Sequence, residues 1–165
     1  MIEALTVPAW VMDRAFDIVE ANWLAKIVHQ GMLASPYQPH NPIRFVLLDP
    51  AASLWTPDID TQRVRLGATA RYLAAAHATD PSVARLLREL SGVPEAAGDG
   101  AGAPTWTAMP HGTMRVAHPD AGLLTFGFEL LNLPADDGLI LNVQTPSPGT
   151  RTQAALDRLG GQATG

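Results

Sequence analysis

The side chains best suited to chemistry at neutral pH are five histidines, at 29, 40, 77, 111 and 118, which could serve as general bases or metal ligands. Their spacing supports neither role. None is followed four residues later by His, Asp or Glu, so no helical ligand pair forms, and His111 and His118 are divided by an extended stretch with no second cluster to complete a set. The histidines therefore read as solvent-facing or hydrogen-bonded, and no metal is expected. Asp58 and Asp60, and Asp136 and Asp137, fall where aspartate favours helix caps and turns. No GxSxG, Walker A, GxGxxG or zincin pattern occurs, and without cysteine there is neither thiolate chemistry nor a disulfide. No catalytic residue and no cofactor is expected, so the chain does not read as an enzyme.

Trp10, Trp23, Trp55 and Trp106 are scattered along the chain, which suits packing in a core or pocket better than a stacking series for bases. The net charge of −5 argues against this chain alone binding nucleic acid, since phosphate contacts require a basic face, and direct nucleic-acid binding is not expected. Charge is unevenly spread: −4 over residues 1–60, +3 over 61–90 and −4 over 91–165. Arg63, Arg65, Arg71, Arg85 and Arg88 read as a solvated helical face. Only 16% of residues are charged, against about 25% in an ordinary domain, which leaves neutral surface for a partner such as a second copy in a homodimer. No N-terminal signal pattern and no apolar run near the ~20 residues of a membrane span is present, and a cytoplasmic setting fits.

The elements that must position these residues begin with PAWVMDRAFDIVEANWL, residues 8–24. Apolar runs Trp10–Met12 and Phe16–Val19 flank Asp13-Arg14, which predicts strand, tight turn and strand, then a helix capped by Asn22. Sensor domains of the PAS type open similarly. A helix from Asn22 to Gly31 is expected with Trp23, Leu24, Ile27 and Val28 on its stripe and glycine at its end. Pro36, Pro39 and Pro42 force a loop, and Ile43–Leu48 forms a short apolar element that periodicity leaves open between strand and helix.

Pro57–Ala78 predicts the longest helix, with Val64, Ala68, Tyr72 and Ala75 on one stripe and Leu66, Ala70 and Leu73 on the next. Asp80-Pro81 opens another helix, which carries Val83, Leu86, Leu87 and Leu90 and stops at Gly92. Residues 92–104, rich in glycine and proline, read as a flexible loop within one domain spanning 1–161, with 162–165 a disordered tail. Beyond the loop, Thr113–His118 is expected to be extended. Leu124, Phe126, Phe128 and Leu130 alternate with smaller or polar residues, the period-two signature of a half-buried strand. A further strand at Leu139–Thr145 and a final helix at Thr152–Leu159 complete an α+β order: a mostly antiparallel sheet covered by helices.

An alanine-rich helix facing Leu124, Phe126 and Phe128 either packs closely or leaves a void. A void of roughly 300 Å³ would cost about 7 kcal/mol if empty, comparable with a whole domain's stability, so a ligand should fill it. The pocket is expected near Met12, Val19, Phe45, Leu66, Ala70, Leu73, Leu86, Trp106, Leu124, Phe126 and Phe128, most of which could equally be core.

Four blocks in order, PAWVMDRAFDIVEAN, NPIRFVLLDPAA, DPSVARLLRELS and HPDAGLLTFGFELLNL, make the chain resemble the ligand-binding domain of MmyB-like transcription regulators over nearly its full length. The resemblance implies a PAS-like fold in a bacterial regulator, binding a small apolar, fatty acid-like molecule between sheet and helices. In that family the domain ordinarily follows a helix-turn-helix DNA-binding domain of the XRE type. The first block here begins at residue 8, so DNA contact is expected through a separate or missing reader. The other reading is a PAS-like dimerisation or interaction module that binds no ligand.

Overall fold

The computed structural model describes residues 2–97, 111–133 and 138–161. Trp106, most of the expected loop at 92–104 and the tail at 162–165 lie outside them. The chain runs β1 (Ala9–Met12), β2 (Ile18–Ala21), α1 (Trp23–Val28), α2 (Gln30–Leu33), α3 (Pro42–Leu48), α4 (Ala52–Trp55), α5 (Ile59–His77) and α6 (Pro81–Glu89). After these come β3 (His111–His118), β4 (Gly122–Asn132), β5 (Ile140–Thr145) and α7 (Arg151–Gly161). The five strands form one antiparallel sheet in the order β2-β1-β5-β4-β3, so the first and last strands of the chain pair at its centre. Helices cover one face, and the architecture is α+β.

The opening hairpin differs from its expected boundaries. Phe16 belongs to the turn, in the left-handed region at φ 68°, and β2 starts two residues later. The cause is local: the Asp13 carboxylate accepts from the amides of Ala15 and Asp17, curling the chain so that Phe16 turns into the core. Asn22 caps α1 as anticipated, accepting from Ala25 N at 2.9 Å, and it also accepts from Ala9 N and donates to Val7 O. Gly31 does not end this helix. The chain breaks at His29 and resumes as α2, where the missing Cβ of Gly31 makes room for the Trp55 ring.

Ile43–Leu48 resolves as helix, with Asn41 accepting from Ile43 N and Arg44 N and Pro42 in the first turn. In α5 the buried residues are Gly67, Ala68, Thr69, Ala70 and Leu73, whereas Val64 is 66% exposed. The buried face is thus narrower and rotated from the expected Val64 stripe. Gly67 is required there because the backbone of Glu95, in a single 3-10 turn at Pro94–Ala96, lies against it, and Arg71 donates to the Glu95 carbonyl. The helix at Asp80-Pro81 forms as expected, with Asp80 accepting from Ser82 N and Val83 N.

Two apolar clusters join helices to sheet. The larger brings Trp10, Met12 and Ile140 against Met32, Phe45, Val46, Ala70, Leu73 and Leu86; the smaller sets Val116, Leu124 and Phe126 against Val28, Ala155 and Leu156. Polar side chains fasten the hairpin to the helices. Asp17 accepts from Arg44, from Arg85 Nη2 at 2.6 Å and from Asn41 Nδ2 at 2.7 Å, while Arg44 also pairs with Glu89. Arg44 is 1% exposed, so these partners compensate a charge withdrawn from water. Among the described residues no helix is long and apolar enough to cross a membrane.

Candidate functional site

Between the covered face of the sheet and α2 to α5 lies a cavity of about 150 Å³. Cross-strand register determines which side chains reach it: Trp10 and Met12 on β1 stand beside Asn142 and Ile140 on β5, and Met114 on β3 stands beside Phe126 on β4. Met12, Phe16, Met32, Phe45, Val46, Trp55, Leu66, Val116 and Phe128 supply mostly apolar walls. Left empty, such a space costs about 4 kcal/mol, a large share of a domain's stability.

The wall is not uniformly apolar. His29 lines it, with Nε2 2.8 Å from Gln144 Oε1 and its ring edge-on to Trp10 at 4.5 Å. Burial lowers the His29 pKa to about 4, against the opposing bond from Gln144, and the charge of His118 adds to the depression. The ring is neutral at pH 7. Trp10 Nε1, Asn142 Oδ1 and Gln144 Nε2 are buried without a hydrogen-bond partner among the described residues, at a cost of about 1–3 kcal/mol each. All three side chains belong to the paired central strands.

Arg65, half-buried on α5, supplies the cationic side. Its guanidinium lies over the Phe128 ring at 4.8 Å from the centroid and has no ion pair or hydrogen bond among the described residues. Desolvation lowers its pKa, with the charge of Asp58 acting in the opposite direction, but a guanidinium stays charged. Arg115, also lining the cavity, faces Asp58 at 3.9 Å. An apolar slot beside a cation that has no ion pair among the described residues suits an amphiphile whose anionic end meets Arg65. Among the described residues no group of three or more His, Cys, Asp or Glu is arranged to hold a metal.

Of the residues singled out from sequence, Met12, Phe45, Leu66 and Phe128 line the cavity. Ala70, Leu73 and Leu86 lie in the larger cluster and Leu124 and Phe126 in the smaller, where they pack and do not line the cavity. Val19 is 62% exposed on edge strand β2, where the register slips from Val11–Glu20 to Met12–Ile18 and leaves Val19 without an opposed residue on β1. Sequence reasoning missed Trp10, His29, Met32, Trp55, Arg65 and Asn142. Arg65 was hidden among arginines read as a solvated face, and the 4-residue helices α2 and α4 are too short to show a period. A signal for Asn142 did exist: Ile140, Asn142 and Gln144 share one phase of β5, so polar residues occupy positions expected to be apolar.

A family model described as the MmyB-like transcription regulator ligand binding domain matches residues 1–159. No curated protein sequence matches the chain.

Proposed function

Since the chain belongs to the family of MmyB-like transcription regulator ligand-binding domains, we propose that it is a sensor whose ligand is a compact, mostly apolar acid, fatty acid-like in chemistry, held between sheet and helices. The observation that carries this reading is Arg65: a half-buried guanidinium with no ion pair or hydrogen bond among the described residues, beside an apolar cavity. A carboxylate placed there gains a charge-assisted hydrogen bond. Size narrows the class. A cavity of about 150 Å³ accepts a body of roughly benzene size, so an acyl chain much beyond six carbons must extend past the rim or displace wall side chains.

The role is regulatory and non-enzymatic. Ligand binding favours one arrangement of the helices, by no more than its differential affinity for the two states, and the change is read through a homodimer contact or a separate DNA-binding domain. Calorimetric titration with hexanoate, octanoate and their methyl esters tests the ligand class. The acids should bind, and Arg65→Gln should weaken them by about 10- to 100-fold, the worth of a hydrogen bond to a charged group, while leaving the esters within a few-fold. If none of these compounds binds or raises the melting temperature, and native mass spectrometry of purified protein shows no copurifying ligand, the sensor reading is dropped.

One observation favours the interaction-module reading. Leu123 and Leu131 are exposed on the β4 face opposite Leu124 and Leu130, leaving apolar side chains on the uncovered side of the sheet. Sedimentation of the protein and of Leu131→Lys over a concentration series distinguishes a self-associating sheet face from a monomer.

A further inference from the structure

Trp10 and Asn142 are directly opposed in the β1–β5 ladder, both line the cavity, and they are 3% and 8% exposed. Among the described residues Trp10 Nε1 is a hydrogen-bond donor without an acceptor and Asn142 Oδ1 an acceptor without a donor. Opposed residues on one face of an antiparallel pair hold their Cβ atoms about 5 Å apart, so the two groups address one neighbourhood. A carboxylate serves only the donor and an ammonium only the acceptor. A hydroxyl serves both, its oxygen accepting from Trp10 Nε1 and its O–H donating to Asn142 Oδ1.

We infer that the cavity selects a hydroxy acid: a compact apolar body with its carboxylate at Arg65 and a hydroxyl between Trp10 and Asn142. This rests on the sensor reading and adds the substituent that decides which acid is bound. Selectivity arises because filling the cavity with a plain hydrocarbon leaves both polar groups desolvated and unpaired, whereas the hydroxylated analogue pairs them. The hydroxyl stands where an ordered water could otherwise bridge the same two atoms. A well-held water would cancel the advantage, which makes the comparison of matched ligands decisive.

The test is titration of the whole chain with matched pairs: hexanoate against 3-, 5- and 6-hydroxyhexanoate, and benzoate against 3- and 4-hydroxybenzoate. At least one hydroxy acid should bind about 10-fold or more tightly than its parent. Its methyl ether, which accepts but cannot donate, should lose most of that gain. In Trp10→Phe and in Asn142→Leu the gap between each hydroxy acid and its parent should close to within about 3-fold, whatever the parent's own affinity becomes. The ether comparison needs only the native chain, so it stands even where a variant does not fold. Parents binding as tightly as every hydroxy acid mean that an ordered water only serves the pair, and the inference is overturned. A preference that persists in both folded variants, or survives methylation, overturns it too. Failure of all acids, hydroxylated or not, removes the sensor reading itself, an outcome distinct from parent acids binding without discrimination.

Discussion

Two residues tie the chemistry of single side chains to stability. His29 is held neutral by burial, with its pKa lowered to about 4 from an unfolded value of 6.5. Between those values the unfolded chain binds more protons than the folded one, so the contribution of neutral His29 is complete above pH 6.5 and is lost as pH falls toward 4. About 2 kcal/mol should disappear between pH 7 and pH 5, and about 3 kcal/mol over the whole window. Urea unfolding of the native chain and of His29→Gln at both pH values measures it: the variant should lack this share of the acid sensitivity, and parallel losses would discount His29 as the cause. Asp17 acts through pairing instead. Asp17→Asn leaves the buried Arg44 dependent on partly exposed Glu89 and removes the partner of Arg85, which should cost about 3 kcal/mol or more at neutral pH.

At the scale of elements, caps and close approaches determine where helices begin and how nearly they lie. Asn22 caps α1 and also holds Ala9 N and Val7 O, so Asn22→Ala should cost about 2 kcal/mol, the upper end for a cap. Asp80→Ala, which removes the α6 cap and a long, partly exposed ion pair to Arg14, should cost about 1 kcal/mol. Equal losses in thermal unfolding would mean that the bonds from Asn22 to the strand contribute little. Gly31→Ala places two effects in opposition: alanine favours α2 by up to about 1 kcal/mol, but its Cβ would lie 2.1 Å from the Trp55 ring. Overpacking of this kind costs about 1–3 kcal/mol and should prevail, and because Trp55 lines the cavity the same change should weaken acid binding. Retained stability together with unaltered affinity would show that Trp55 moves aside freely.

For the molecule as a whole, the cavity couples ligand to fold. A ligand present at 100 times its dissociation constant adds about 2.7 kcal/mol, which for a chain of this length raises the melting temperature by about 5–10 °C. A bound acid that produced no shift would have to bind the unfolded chain equally well. The sequence by itself determined the α+β order, the caps at Asn22 and Asp80, the inward phase of β4 and the four blocks that identify the family, since each depends on residues close along the chain. It left Ile43–Leu48 open between helix and strand, because so short an apolar run, broken only by Arg44, suits either period. The site was decided by the tertiary structure. Trp10 stands beside Asn142 only because β1 pairs with β5 at the centre of the sheet, and Arg65 becomes a cavity residue because α5 lies over the sheet with this guanidinium against Phe128 of β4. Local periodicity reports which face of an element is buried, but which buried faces meet, and which polar atoms are left between them, depends on contacts between distant parts of the chain.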